Sequence, residues 1–536
     1  HGFTDLQMMD RVEVIRGPGS ALYGSDAFHS VTSFRSWDSD EDIIETGVRS
    51  GQFGYFSAFA RGRQEFSNEL KLTGALAISH NSDSEVEYDY THVNTGENVS
   101  LDNSEEYESY NANFKLQYKG TYLGSYYNKT YSDKFVGLGA STSNRGGRQS
   151  GFNEVTNTYV KIGHKTDLWE KYNLDTMAYR VVTKTGFYYD LGTVDPQSVT
   201  LEQKVSNYSE GVKVFFKNDN TEEFYWVTGM GYTRQYIENT SRFITTESEY
   251  PYEGFRRYTK YLLAHTVTKM WDDKLRVLAG IRLDDYADID DLVETPRLGL
   301  IFNLQKNRAL KFLYGNAFRA PAATEVAGSA TFLGNSDLEP EEIDTYEIIY
   351  MQNGTNYRTN FTLFSSKWEK GVRLEVTAAA ISAGRAQEYI NTGENSAKGF
   401  EYEVEYSMET SGLSFFSTGS YVTSKDEAAG VDYTGFPEVM INWGGHYDWV
   451  EKKIRFSVYN HHEFDRTATP IDGSDKLDSY FRTDFFAKWM PTDDFDLYLS
   501  VRNAFDITND NPHVWQKAEG HREPGFDASV GMHYRF

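Results

Sequence analysis

The last nine residues, Ala528-Ser529-Val530-Gly531-Met532-His533-Tyr534-Arg535-Phe536, decide how the chain is read. Successive side chains of a strand point to opposite faces. Val530, Met532, Tyr534 and Phe536 therefore share one face, and Ser529, Gly531, His533 and Arg535 share the other. The same alternation returns elsewhere. Within 495–502, Phe495, Leu497, Leu499 and Val501 oppose Asp496, Tyr498, Ser500 and Arg502. Within 111–118, Ala112, Phe114, Leu116 and Tyr118 oppose Asn113, Lys115 and Gln117. Within 70–79, Leu70, Leu72, Gly74, Leu76 and Ile78 oppose Lys71, Thr73, Ala75 and Ser79. Runs of about 8–12 residues of this kind follow one another, separated by turns rich in Asn, Asp, Gly and Ser. Each has one oily wall and one wet wall.

Composition narrows the choice of architecture. The chain has 536 residues, a formal net charge of −26, 39 Tyr, 35 Phe, 9 Trp, 11 Pro and no Cys. A pI near 4.9 argues against a nucleic-acid partner, whose phosphates demand a basic face. The lack of cysteine excludes a disulfide scaffold, a thiolate zinc site and a thiol nucleophile, and it suits an oxidising compartment. No stretch approaches the roughly 18–20 apolar residues of a transmembrane helix, which leaves β-barrel spans untouched. The chain starts at His1 with neither a basic nor an apolar signal region, so its beginning reads as a cut through a longer protein.

A soluble sandwich or propeller and a membrane barrel both alternate in this way, and three features favour the barrel. The oily faces end in Tyr, Trp or Phe, as interfacial girdles do. Connections alternate between short, as at Pro491-Thr492-Asp493-Asp494, and long and acidic, as across 80–110. The chain also ends on an aromatic residue of an alternating strand. At roughly 20–25 residues per strand and connection, residues 37–536 hold about 20–24 strands. The expected fold is all-β: a transmembrane antiparallel barrel of about 22 strands, wide enough to need a plug. Residues 1–36, with a strand over Val12–Ile15 before Gly17-Pro18-Gly19, are the candidate plug remnant, and 37–536 the barrel.

Residues 11–28, from Arg11-Val12-Glu13-Val14-Ile15-Arg16-Gly17-Pro18-Gly19-Ser20-Ala21-Leu22-Tyr23-Gly24 onward, resemble the end of the plug domain of TonB-dependent outer-membrane receptors. Phe318-Arg319-Ala320-Pro321, Asn335 to Glu341 with Tyr346-Glu347, Asn391-Thr392-Gly393 with Gly399-Phe400-Glu401, and Arg502 to Asp506 resemble barrel signatures of that family, in its order. Residues 29–36 depart from it, because an apolar plug strand is usual there. The resemblance implies a Gram-negative outer-membrane location and active transport of a scarce ligand, most often a ferric siderophore, powered through the TonB complex. Cobalamin or haem uptake by the same family, or a passive porin or scaffold barrel, are the alternatives. The further partners implied are a small-molecule chelate, outer-membrane lipid and lipopolysaccharide, and the barrel-assembly machinery, for which Tyr534 and Phe536 would be the signal.

The resemblance also implies that plug arginines meet glutamates of the inner barrel wall, here Arg16 with Glu341, Glu347 and Glu401. The residues themselves add less. Gly17-Pro18-Gly19 reads as a structural turn, since Leu22 stands where a dinucleotide loop needs glycine. Asp284, Asp285, Asp288, Asp290 and Asp291 have the composition of a calcium site, because calcium takes 6–8 oxygen ligands, although no EF-hand pattern surrounds them. No other cofactor is suggested. His461 and His462 are adjacent and on a strand would face opposite ways. Residues 322–334 contain no His, against the habit of haem receptors. No catalytic constellation is present, so the chain does not read as an enzyme.

Overall fold

The computed structural model describes residues 6–66, 69–82, 86–91, 98–103, 106–133, 152–168, 171–194, 197–218, 223–243, 248–251, 254–329, 332–408, 410–433, 436–467, 476–511 and 521–536. Among them, 22 strands form a closed antiparallel barrel. Ile43–Gly51 opens the wall and Asp527–Arg535 closes it, in register from Glu45 opposite Arg535 to Gly51 opposite Ser529. Closure pairs the backbone of both terminal strands, which is the condition for a sheet to survive in hydrocarbon. Among the described residues no helix is long and apolar enough to cross a membrane.

The distribution of side chains identifies the surroundings. Leu76 is 61% exposed, and Ile78, Leu497, Leu499, Val530 and Met532 also point outward, whereas Asp496 is 3% exposed and Arg282 and Asp284 are buried. A water-soluble protein shows the opposite sorting. An outward apolar band around a polar interior is the membrane-barrel arrangement. Exposed Tyr118, Trp271, Trp449, Trp489 and Phe536 ring the end that carries the short connections 119–120, 271–274, 450–453 and 490–494. Both ends of the barrel lie there too, with the Phe536 amide donating to the Ile44 carbonyl at 2.8 Å. Tyr172–Val194 has 23 residues and Gln197–Asn218 has 22. At about 3.4 Å per residue, such strands overshoot a hydrocarbon core of about 30 Å and continue beyond it.

At the opposite end, residues 82–105 make a long connection whose described part is a hairpin of Val86–Thr91 with Asn98–Asn103. The acidic segment 284–291 is not a single loop. Asp284 and Asp285 belong to the strand Leu275–Tyr286, and only 287–292 leave the wall before Val293–Gln305.

A small unit sits inside the barrel. Met9–Arg16 pairs antiparallel with Ser30–Ser36, separately from the wall, and a one-turn helix, Ser20–Tyr23, bridges them. The divergent residues 29–36 thus supply the return strand, with Val31 opposite Ile15. Met8 packs against the inward Ala75 and Ala77, and the Trp37 amide donates to the Met8 carbonyl at 2.9 Å. Arg61 lies over the Trp37 ring at 4.9 Å and bonds Glu45 at 2.5 Å, fixing where the chain passes into the wall.

Leu76→Arg should destabilise the barrel by about 2–4 kcal/mol, because a charge near mid-strand must enter lipid. Gln117→Arg, on the inner face of the neighbouring strand, should change stability by under about 0.5 kcal/mol. Denaturant unfolding in lipid vesicles measures both, and equal costs would contradict the assignment of the two faces.

Candidate functional site

The hairpin is held by two kinds of contact. The first is dry. Ser20 is fully buried; its hydroxyl accepts from the Phe318 amide at 3.3 Å and lies 3.5 Å from the Phe318 carbonyl. The Asp26 amide donates to that carbonyl at 3.3 Å, and the Ala320 amide donates to the Ser25 hydroxyl at 3.0 Å. Phe28 completes the seat against Ala317 and Ile343, with its ring edge-on to Trp368 at 6.3 Å. Burial pushes the Asp26 carboxyl above its ordinary value, against the pull of Ser25 and Arg319. Burial likewise lowers the His29 imidazole.

Backbone shape matters at Gly24. Its φ is +88°, and a Cβ there would lie 2.9 Å from Arg282 Nη2. Arg282 cannot yield easily, because it grips Asp284 through two bonds of 2.7 and 2.8 Å and stacks on the Tyr261 ring at 3.7 Å. Glycine lets the hairpin backbone lie directly on that guanidinium.

The second kind of contact is wet. Arg16 Nη1 meets Glu401 Oε2 at 2.9 Å, with side chains 61% and 28% exposed. Glu347 stands beside Gly17, whose own φ is +75° and whose Cβ would lie 3.4 Å from Glu347 Oε2. Arg16, Phe28, Trp368, Glu347 and Glu401 border a cavity of about 870 Å³ between hairpin and wall. On the other side of the hairpin, a cavity of about 950 Å³ is lined by Arg11, Arg35, Lys71, Lys115, Lys161 and Lys165, among others. Asp10, Asp38, Glu69 and Asp175 line it too, and Arg11, Lys115 and Lys165 pair with Asp10, Asp38 and Asp175 at 2.9, 2.5 and 3.6 Å.

A polar-lined barrel of this size, carrying an inner hairpin at these motifs, agrees with known proteins. A family model described as TonB dependent receptor-like, beta-barrel, matches residues 87–504. The chain belongs to the TonB-dependent receptor family. One relative is the vitamin B12 transporter BtuB of Vibrio vulnificus, 24% identical over 358 residues, which are 64% of this chain and 52% of that protein. Another is the iron-regulated outer membrane virulence protein of Vibrio cholerae, 23% identical over 534 residues, covering 94% of this chain and 76% of the relative. The chain therefore spans about half the length of the first of these relatives. Among solved structures, the ferric enterobactin receptor PfeA shares the fold with a TM-score of 0.80 at 14% identity, covering 100% of this chain and 87% of its own. The FrpB iron transporter of Neisseria meningitidis does so with a TM-score of 0.77 at 15% identity, covering 99% and 88%. This TonB-dependent receptor is accordingly an outer-membrane barrel.

Two sequence expectations about this receptor need correction. Glu341 does not meet Arg16. Its carboxylate accepts from Arg319 at 2.6 Å and from the Val372 amide at 2.6 Å, a nearer guanidinium having taken it. Arg319 also grips Glu325 at 3.0 and 3.1 Å, so it fixes the connection 320–340 above the hairpin. The five aspartates proposed for calcium do not converge either. Asp284 is buried against Arg282, Asp285 faces Lys260 at 3.5 Å, and Asp288 is held by Arg257 at 2.6–3.0 Å. Asp288, Asp290 and Asp291 border an acidic cleft with Asp337 and Glu339, but Asp288 is already held by Arg257. Strand alternation separates the first two, and arginines neutralise Asp284 and Asp288.

His461 and His462 split as adjacent strand residues must. His461 bonds Asn442 and Glu463, while His462 accepts from the Trp443 indole at 3.0 Å. Ser20, Ser25 and Phe28 were passed over by the sequence reading, although they lie inside the matched stretch 11–28. Their signal was available: small hydroxyl residues on a Gly-bounded turn suit a close backbone approach.

Energetics separate the two contacts. A pair as exposed as Arg16–Glu401 contributes about 0.2–1 kcal/mol, whereas emptying a buried Phe site costs about 3–5 kcal/mol. Hydrogen exchange over residues 9–36 should therefore speed up slightly in Arg16→Ala and strongly in Phe28→Ala. A larger effect from Arg16→Ala would overturn this ranking.

Proposed function

We propose that this TonB-dependent receptor imports a ferric siderophore complex across the outer membrane, driven by inner-membrane energy relayed through TonB. The observation that carries the reading is the inner hairpin, seated on Phe318–Ala320 by buried contacts and tied to Glu401 by a wet one. Contacts of unequal strength can rupture in sequence under a pull, which a permanent seal would not need. A relative covering nearly all of this chain is named for iron regulation, and solved neighbours include siderophore receptors. No catalytic step is required of any residue.

Cobalamin uptake is the second reading, favoured by the relative named as a vitamin B12 transporter. Cells expressing the receptor should accumulate radio-iron from a supplied ferric siderophore only when TonB is intact. Uptake of labelled cobalamin in place of iron would select the second reading, and TonB-independent leak of small sugars would select a passive pore.

Lipid and lipopolysaccharide would contact the outward apolar band. Tyr534 and Phe536 would present the assembly signal, their rings edge-on at 4.7 Å on the outer surface. Deleting Phe536 should lower the amount of heat-modifiable barrel in the outer membrane without lowering synthesis. Unchanged barrel levels would remove that role.

A further inference from the structure

With no cysteine in the chain, no disulfide ties the wall together where the connection 82–105 leaves it. A different group of side chains stands at that point. In the pairing of Leu70–Asn81 with Glu106–Tyr118, His80 lies directly opposite Glu108. Both continue outward-facing rows: Leu76 and Ile78 precede His80 on one strand, and Tyr110 follows Glu108 on the other. Glu106 is the next residue of the same row. One ligand atom from each of His80, Glu106 and Glu108 lies within 4.8 Å of the others.

His80 and Glu108 face one another with their side chains 40% and 39% exposed. His80 Nδ1 is 3.8 Å from Glu108 Oε1, too long for a hydrogen bond. Two ligands each about 2.0–2.2 Å from one tetrahedral ion sit roughly 3.3–3.6 Å apart, so a small closure of the pair brings them into place. Nδ1 is shielded from solvent and has no hydrogen-bond partner among the described residues. Glu108 is oriented from its other oxygen, where the Tyr110 hydroxyl donates to Oε2 at 3.2 Å. Two neighbouring carboxylates repel one another unless a cation lies between them.

We propose that His80, Glu106 and Glu108 hold one divalent transition-metal ion of the zinc class on the outer wall. One imidazole nitrogen and two carboxylate oxygens are zinc donors, and three protein ligands leave a fourth position for water. Calcium, which takes 6–8 oxygens, is a poorer match. The ion clamps two adjacent strands where the connection 82–105 leaves the wall. This site lies on the outside of the barrel and does not depend on the transport reading.

Cobalt(II) titration of the full-length receptor in detergent tests it, because the ion's visible absorption reports both binding and geometry. Wild type should bind one equivalent that zinc displaces. His80→Ala and the near-isosteric Glu108→Gln should each weaken binding at least tenfold. His80→Cys, which supplies another zinc ligand, should keep it, and His462→Ala, at an outward imidazole elsewhere, should leave it unchanged. Heat-modifiable mobility identifies the folded variants to be compared. No binding to wild type, or equal binding to His80→Ala and Glu108→Gln, overturns the proposal.

Discussion

In hydrocarbon no water is available to an unpaired amide, so the wall must leave no open edge. The pairing of Ile43–Gly51 with Asp527–Arg535 meets that demand. The rest of the architecture follows from it. A closed wall of 22 strands encloses a wide lumen, and each strand's alternation sends polar groups into it. That interior needs an occupant, and the hairpin Met9–Ser36 lies there.

A polar lumen also limits how the hairpin can be held. Charges in it find nearer partners before they find the hairpin. Residues two apart on a strand share a face, and the structure uses this repeatedly: Arg282 with Asp284, Arg482 with Asp484, and Arg63 with Glu65. Arg319 takes Glu341 in the same spirit, across paired strands. Among the described residues, what remains for the hairpin is one exposed ion pair and a small dry seat. The seat supplies most of the hold because burial there excludes water from the Ser20 and Phe28 contacts.

The Phe318-Arg319-Ala320-Pro321 motif gains a physical meaning from this arrangement. Phe318 and Ala320 present backbone groups to the hairpin, Arg319 ties the overlying connection to the wall, and the Pro321 carbonyl accepts from Arg257 at 2.8 Å. Arg257 in turn holds Asp288 of the neighbouring connection. Four consecutive residues thus join hairpin, wall and two outer connections.

The sequence by itself determined the strand alternation, the approximate strand number, the membrane setting and the family, because a period of two and an aromatic-ended apolar face are local properties. It also placed Arg16 and Glu401 among the residues that would meet. Partner choice was beyond it. Glu341, Glu347 and Glu401 are all lumen carboxylates in the sequence reading, and only wall register shows that Arg319 reaches Glu341 first. The aspartates of 284–291 looked like one cluster until alternation and the arginines of neighbouring strands divided them. His80 and Glu108 looked unrelated until register set them side by side. Proximity across a closed sheet is fixed by pairing between strands distant in sequence, and that information exists only in the folded wall.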